Sequence, residues 1–97
     1  MTKLTAEEAA HQIIALFNTS VLAEADAVLG EGIGRWLDKA LAARSRMSQG
    51  EEVLLNIVLF VYNGGGSASL YDLTTLDATL MAQVLTTIQQ RFVGFSS

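Results

Sequence analysis

His11 is the chain's one histidine, and no cysteine accompanies it. It is the only candidate for acid–base work near neutral pH. Glu7 stands four residues earlier, so on a helix the two are surface neighbours. Nucleophilic or acid–base catalysis needs a further group tied to such a pair, and no spacing in the chain supplies one. The pair is read as an exposed histidine beside a glutamate. Carboxylates are doubled at Glu7-Glu8 and Glu51-Glu52. Each double falls in the first turn of an expected helix, where the dipole favours negative charge. Two acids that divide catalytic work need contrasting environments, and nothing here provides them.

Metal and phosphate chemistry are equally thin. One histidine without cysteine excludes a structural zinc site. There is no calcium-loop spacing and no inward cluster of acids. The glycine-rich stretch Asn63–Ser69 lacks the lysine that a phosphate-cradling loop requires. No catalytic, cofactor-binding or metal-ligating residue is assigned, no cofactor is expected, and the chain is read as not an enzyme.

What remains is contact chemistry. Arg35, Lys39, Arg44 and Arg46 gather four of the six basic residues in one segment. Arg35, Lys39 and Arg46 are expected on one helical stripe, away from Trp36, Leu37 and Leu41. Trp36 is the sole tryptophan, a residue type enriched at binding hot spots, although its spacing reads as half-buried core. Tyr62 and Tyr71 flank the glycine loop. Arg35, Trp36, Lys39, Arg46, Tyr62 and Tyr71 are therefore the candidate partner-contacting residues.

The elements that must position these residues are helices. Val53–Tyr62 is apolar except for Asn56. Ser48-Gln49-Gly50-Glu51 before it is a capping box, and Asn63-Gly64 after it is a left-handed stop. Residues 48–62 thus form the expected central helix, too short for the ~20 residues that span a bilayer. Thr5-Ala6-Glu7-Glu8 is a second capping box, opening a helix expected over Ala6–Phe17. Asn18-Thr19-Ser20 breaks it, and a second helix begins near Val21 with Leu22, Ala25, Val28 and Leu29 on one face. At Gly30-Glu31-Gly32-Ile33-Gly34 the apolar period continues. Either a bend separates two helices there or one long helix has a thin waist where another backbone comes close. The bend is the preferred reading, with a third helix over Ile33–Arg44. Ser69-Leu70-Tyr71-Asp72 opens a single turn. Asp77 caps a last helix carrying Leu80, Met81, Val84, Leu85, Ile88 and Phe92 on one face. Gly94 closes it, with Phe95 placed for the apolar contact of a Schellman motif.

The expected fold is all-α: a small bundle of about five helices around the buried central helix, one domain over residues 1–97. Hydrophobic residues make up 51% of the chain and the mean hydropathy is +0.37. That is more apolar surface than a small domain readily buries, so self-association as a homodimer or a protein partner is expected to take the excess. The net charge of −4 argues against general nucleic-acid binding, which rests on cations neutralising phosphates. No signal-peptide pattern opens the chain. No membrane span is expected, and a cytoplasmic location is.

Val28–Ile88 resembles a family of short helical proteins of bacterial conjugative plasmids and integrated elements. The resemblance lies in Arg35-Trp36-Leu37-Asp38, Ser48-Gln49-Gly50, the apolar helix ending at Asn63, Gly64–Gly66, Asp72-Leu73-Thr74 and Asp77, in that order. Loop lengths differ, and the central helix lacks the tryptophans of that family. The resemblance implies a mobile-element origin and no assigned activity. Three functions are weighed on this basis. The first is a non-enzymatic protein-interaction module. The others are an inhibitor of a host defence nuclease complex of the anti-CRISPR kind, and a helical DNA-binding regulator using the Arg35/Lys39 face.

Overall fold

The capping box predicted at Thr5 forms in full. Its hydroxyl accepts from the Glu8 amide at 3.1 Å and the Glu8 carboxylate accepts from the Thr5 amide at 2.9 Å. In a computed structural model that describes residues 2–17, 22–65 and 71–94, this box opens α1 (Ala6–Ile14). The helix is shorter than the Ala6–Phe17 expected. Past Ile14 the bonds tighten to Leu16 N–H onto Ile13 and Phe17 N–H onto Ile14, the three-residue closure that often ends a helix. The expected break at Asn18-Thr19-Ser20 and the helix start at Val21 lie outside the described residues.

The chain bends where the glycines cluster. Helix α2 (Ala23–Ala27) is followed by a 3-10 turn, Leu29–Glu31, and then by α3 (Ile33–Ala42). Between turn and helix, Gly32 has φ +120° and ψ 159°, a conformation open in practice to glycine alone. Two helices therefore meet at a corner. The alternative of a thin waist fails, because a Cβ on Gly30, Gly32 or Gly34 would meet no atom within 4 Å. Two opposite effects are expected here. Gly34→Ala, inside α3, should stabilise by roughly 0.5–1 kcal/mol through a better helix former and a stiffer unfolded chain. Gly32→Ala should destabilise by about 1–2 kcal/mol through strain. Urea denaturation of both variants checks the signs; a loss at Gly34 contradicts the open space around it.

The Ser48 box forms as predicted, with Ser48 Oγ accepting from the Glu51 amide and Glu51 Oε1 from the Ser48 amide. It opens α4 (Gln49–Asn63), the central helix. Gly64 ends it in the left-handed conformation, φ +75°, donating to the Phe60 carbonyl at 3.1 Å. Asn63 Oδ1 holds the Gly65 amide at 2.8 Å. Of the expected Ser69-Leu70-Tyr71-Asp72 turn and the rest of the glycine loop, residues 66–70 lie outside the described residues. A 3-10 turn follows at Asp72–Thr75. Asp77 Oδ1 accepts from the Leu80 amide at 2.8 Å and starts α5 (Ala78–Phe92). Gly94 closes α5 by donating to the Gln89 carbonyl; Phe95 lies outside the described residues.

The molecule is an all-α bundle, with five α-helices among the described residues. Helix α4 lies most extensively against α1, and also against α5 and the Asp72–Thr75 turn, while α2 packs on α3. Small Ala9 and Ala10 on α1 are fully buried beside Ile13, which lets the α1 backbone come close. The core is one cluster drawing on every α-helix, with Leu55, Ile57, Val58 and Val61 of α4 within it. Among the described residues no helix is long and apolar enough to cross a membrane.

Trp36 corrects the sequence reading twice. It is fully buried rather than half-buried, and a residue without exposed surface cannot touch a partner. Its ring meets Phe17 edge-on, with centroids 5.6 Å apart, and its Nε1–H points at Asp26 Oδ1 at 3.4 Å. The basic stripe is corrected as well. Helix α3 ends at Ala42 and Arg46 sits in a separate 3-10 turn, Arg44–Arg46, so the helical period that would align Arg46 with Arg35 and Lys39 stops short of it. Leu41, expected with the core period, is 39% exposed.

A candidate protein-interaction face on the last helix

Helix α5 carries two seams of identical spacing. Leu80, Val84, Thr87 and Arg91 form one; Met81, Leu85, Ile88 and Phe92 form the other, one residue later and so about 100° further round the helix. The second seam is wholly apolar, and by sequence it belongs to the buried face. The structure turns the first seam inward instead. Val84 is fully buried and Thr87 nearly so. Leu85 and Phe92 are left 41% and 43% exposed, with Val93 beyond them at 59%. Met81 and Ile88 lie at the margin, packed against the core but not enclosed by it.

The inward polar groups explain this rotation. Arg91 Nε–H donates to the Val61 carbonyl at 3.0 Å. That carbonyl belongs to the last turn of α4, whose acceptors have no partner within the helix, and a cation there also suits the helix dipole. Arg91 Nη1 reaches the Leu4 carbonyl at 3.5 Å, and the Leu4 amide donates to the Gln90 carbonyl at 3.0 Å. The N-terminal segment is thereby strapped across the end of α5. Thr87 Oγ1 lies 3.0 Å from Gln12 Oε1 on α1 and 3.1 Å from the Gln83 carbonyl. Turning the apolar seam fully inward would take Thr87 and Arg91 away from these partners.

Phe92 is supported from beneath. Its ring lies 5.3 Å from that of Phe60 on α4, tilted by 50°, and the Arg91 guanidinium sits 5.3 Å from the Phe92 centroid. The resulting strip is apolar and held by rigid helices. Within Ala78–Phe92 the only charged residue is Arg91, and it is directed inward. Such a strip can bury apolar area against another molecule. It has no group for proton transfer or nucleophilic attack.

Two open grooves flank this helix. One, of about 420 Å³, runs between α1 and α5 and is lined by Gln12, Gln83, Thr86 and Thr87 among others. Most of its exposed lining is apolar, with Ala15, Leu16 and Ala82 beside these groups, and it holds no ionisable side chain for an acid–base step. The other, also about 420 Å³, lies where α4 and α5 begin. Its Ser48, Glu51 and Asp77 are engaged in the helix caps already described. No group of three or more metal-ligating side chains is found among the described residues.

The other sequence candidates do not converge on one site. Arg35 and Lys39 are exposed on α3, and Arg46 is exposed in its own turn. Arg44 instead donates to Asn56 Oδ1 at 2.9 Å and ties that turn to α4. Tyr62 is half-buried against the core. Tyr71 is 82% exposed, with its backbone carbonyl accepting from Thr74. His11 is exposed on α1. The face on α5 was missed because one apolar period cannot say which part of its arc faces inward. The signal that could have revealed it is the second seam, already complete in Met81, Leu85, Ile88 and Phe92.

No family model, curated protein or solved structure matches this chain.

Proposed function

We propose that the chain is a non-enzymatic protein-interaction module whose contact surface is the outward side of α5. The observation that supports this is the half-exposed apolar seam, seated on Phe60 and built of uncharged side chains. The cores of protein interfaces are depleted of charge and enriched in aromatic residues and methionine, and Leu85, Met81 and Phe92 fit that composition. The resemblance of Val28–Ile88 to proteins of conjugative plasmids and integrated elements supports a mobile-element origin. The chain's net charge of −4 and the separation of Arg46 from Arg35 and Lys39 leave little for binding phosphates.

A photo-cross-linking amino acid at Gln89, on the exposed side of α5, tests the reading in cells. The same group at Ser45, in the Arg44–Arg46 turn, is the comparison. Discrete protein adducts at Gln89 and few at Ser45 are expected. Equal labelling at both positions, or none at Gln89, overturns the proposal.

A further inference from the structure

Resting on that reading, we infer that the occupant of the α5 face is a second copy of this chain, its α5 laid antiparallel across the first about a two-fold axis at Leu85. Three observations carry this. The first is electrostatic. Copies of a chain with net charge −4 repel one another, and a face without charge is where they can meet without juxtaposing like charges. The only ionic group on α5, Arg91, is held by the Val61 and Leu4 carbonyls. A strongly basic partner would find no opposite charge on this helix, and an acidic one only the Arg91 guanidinium, which is already engaged by two carbonyls and by the Phe92 ring.

The second is shape. In the N-terminal half of α5, Ala78 and Ala82 are exposed beside the partly buried Met81, and in the C-terminal half the exposed Phe92 stands beside the partly buried Ile88. A two-fold axis at Leu85 sets Phe92 against Ala78 of the copy, since they stand seven residues either side of it. Ile88 falls opposite Ala82 in the same way, three residues either side. Large then meets small at these two pairs, while Leu85 meets its own copy at the axis and Met81 lies opposite Gln89. A parallel pairing would set Phe92 against Phe92 and alanine against alanine, leaving one end crowded and the other open. The third is periodicity. Ala78, Met81, Leu85, Ile88 and Phe92 follow alternating three- and four-residue spacings, the pattern by which one helix packs along another.

The strip is roughly 22 Å long and one helix wide. That is small beside the ~800 Å² per partner of a standard interface, so the expected dimer exchanges with monomer and must be followed over a concentration series.

Sedimentation equilibrium on the full chain tests this with Leu85→Glu and Leu85→Lys. Each variant places two like charges face to face at the axis and should weaken dimerisation by more than about a hundredfold. An equimolar mixture of the two should restore a dimer, because every mixed pair then carries opposite charges. Unchanged helical circular dichroism in both variants separates lost pairing from lost folding. If either variant unfolds, Gln89→Glu, which faces Met81 of the copy, replaces it and should weaken the dimer as well. A wild-type chain that is monomeric at every concentration overturns the second copy, as does a dimer indifferent to these charges or one that the mixture does not restore. Monomer together with Gln89 adducts to another protein overturns this inference alone. Monomer without adducts overturns the interaction-module reading with it.

Discussion

Replacing Trp36 with alanine is expected to cost about 3–5 kcal/mol, the range for removing a large aromatic side chain from a core. Trp36 has no exposed surface. It stands in α3 and meets Phe17, beyond the end of α1, edge-on, and it directs its indole N–H at Asp26 of α2. Its removal therefore opens a cavity where three parts of the chain meet. A domain of this size has only about 5–15 kcal/mol of total stability, so Trp36→Ala should fold marginally or not at all at 37 °C. In a chain of 60–100 residues each kcal/mol corresponds to about 4–8 °C in Tm, and a fall well beyond 12 °C is expected. Trp36→Phe, which keeps most of the ring, should lose much less. Asp26→Ala should cost less again, since the 3.4 Å contact is long for a hydrogen bond. Thermal unfolding followed by far-ultraviolet circular dichroism checks all three. A Trp36→Ala variant within about 1 kcal/mol of wild type would contradict the burial described here.

The second large effect is expected at Arg91. Arg91→Met keeps a long apolar stem but removes both hydrogen bonds to backbone carbonyls. Bonds to charged groups contribute about 1.5–3 kcal/mol each, and acceptors left buried without a partner add their desolvation cost. The Leu4 contact, at 3.5 Å, is the weaker of the two, so a total loss of about 2–4 kcal/mol is expected. Arg91→Lys should recover only part of it, because a single ammonium lacks the planar fork that reaches Val61 and Leu4 together. Hydrogen exchange gives a local readout. The Leu4 amide, bonded to Gln90, should lose protection in Arg91→Met more than amides in the middle of α4. Equal loss everywhere would mean that Arg91 supports the bundle generally rather than the strap.

Arg91 and Thr87 occupy the inward seam and leave Leu85 and Phe92 at the surface. A variant that released α5 to rotate would hide the apolar seam, so Arg91→Met is expected to weaken association as well as stability.

Much of the bundle was legible in the residues themselves. Thr5, Ser48 and Asp77 were recognisable as N-caps because a cap acts on the amide three residues away, and each forms as expected. Gly64 was legible as a stop for the same reason, since a left-handed residue satisfies a carbonyl of its own last turn. The corner at Gly32 could be preferred over a continuous helix, although its backbone angles decided the matter. All of these are local interactions, complete within one turn of chain. What only the tertiary structure decided involves partners far apart in sequence: Trp36 with Asp26, Arg44 with Asn56, Thr87 with Gln12, and Arg91 with Val61 and Leu4. Hydrophobic periodicity defines an arc of a helix but not the angle at which that arc meets its neighbours. On α5 the inward side carries Val84 together with Arg91, bonded to the Val61 and Leu4 carbonyls, and Thr87, beside Gln12 of α1, and at this angle Leu85 and Phe92 face outward.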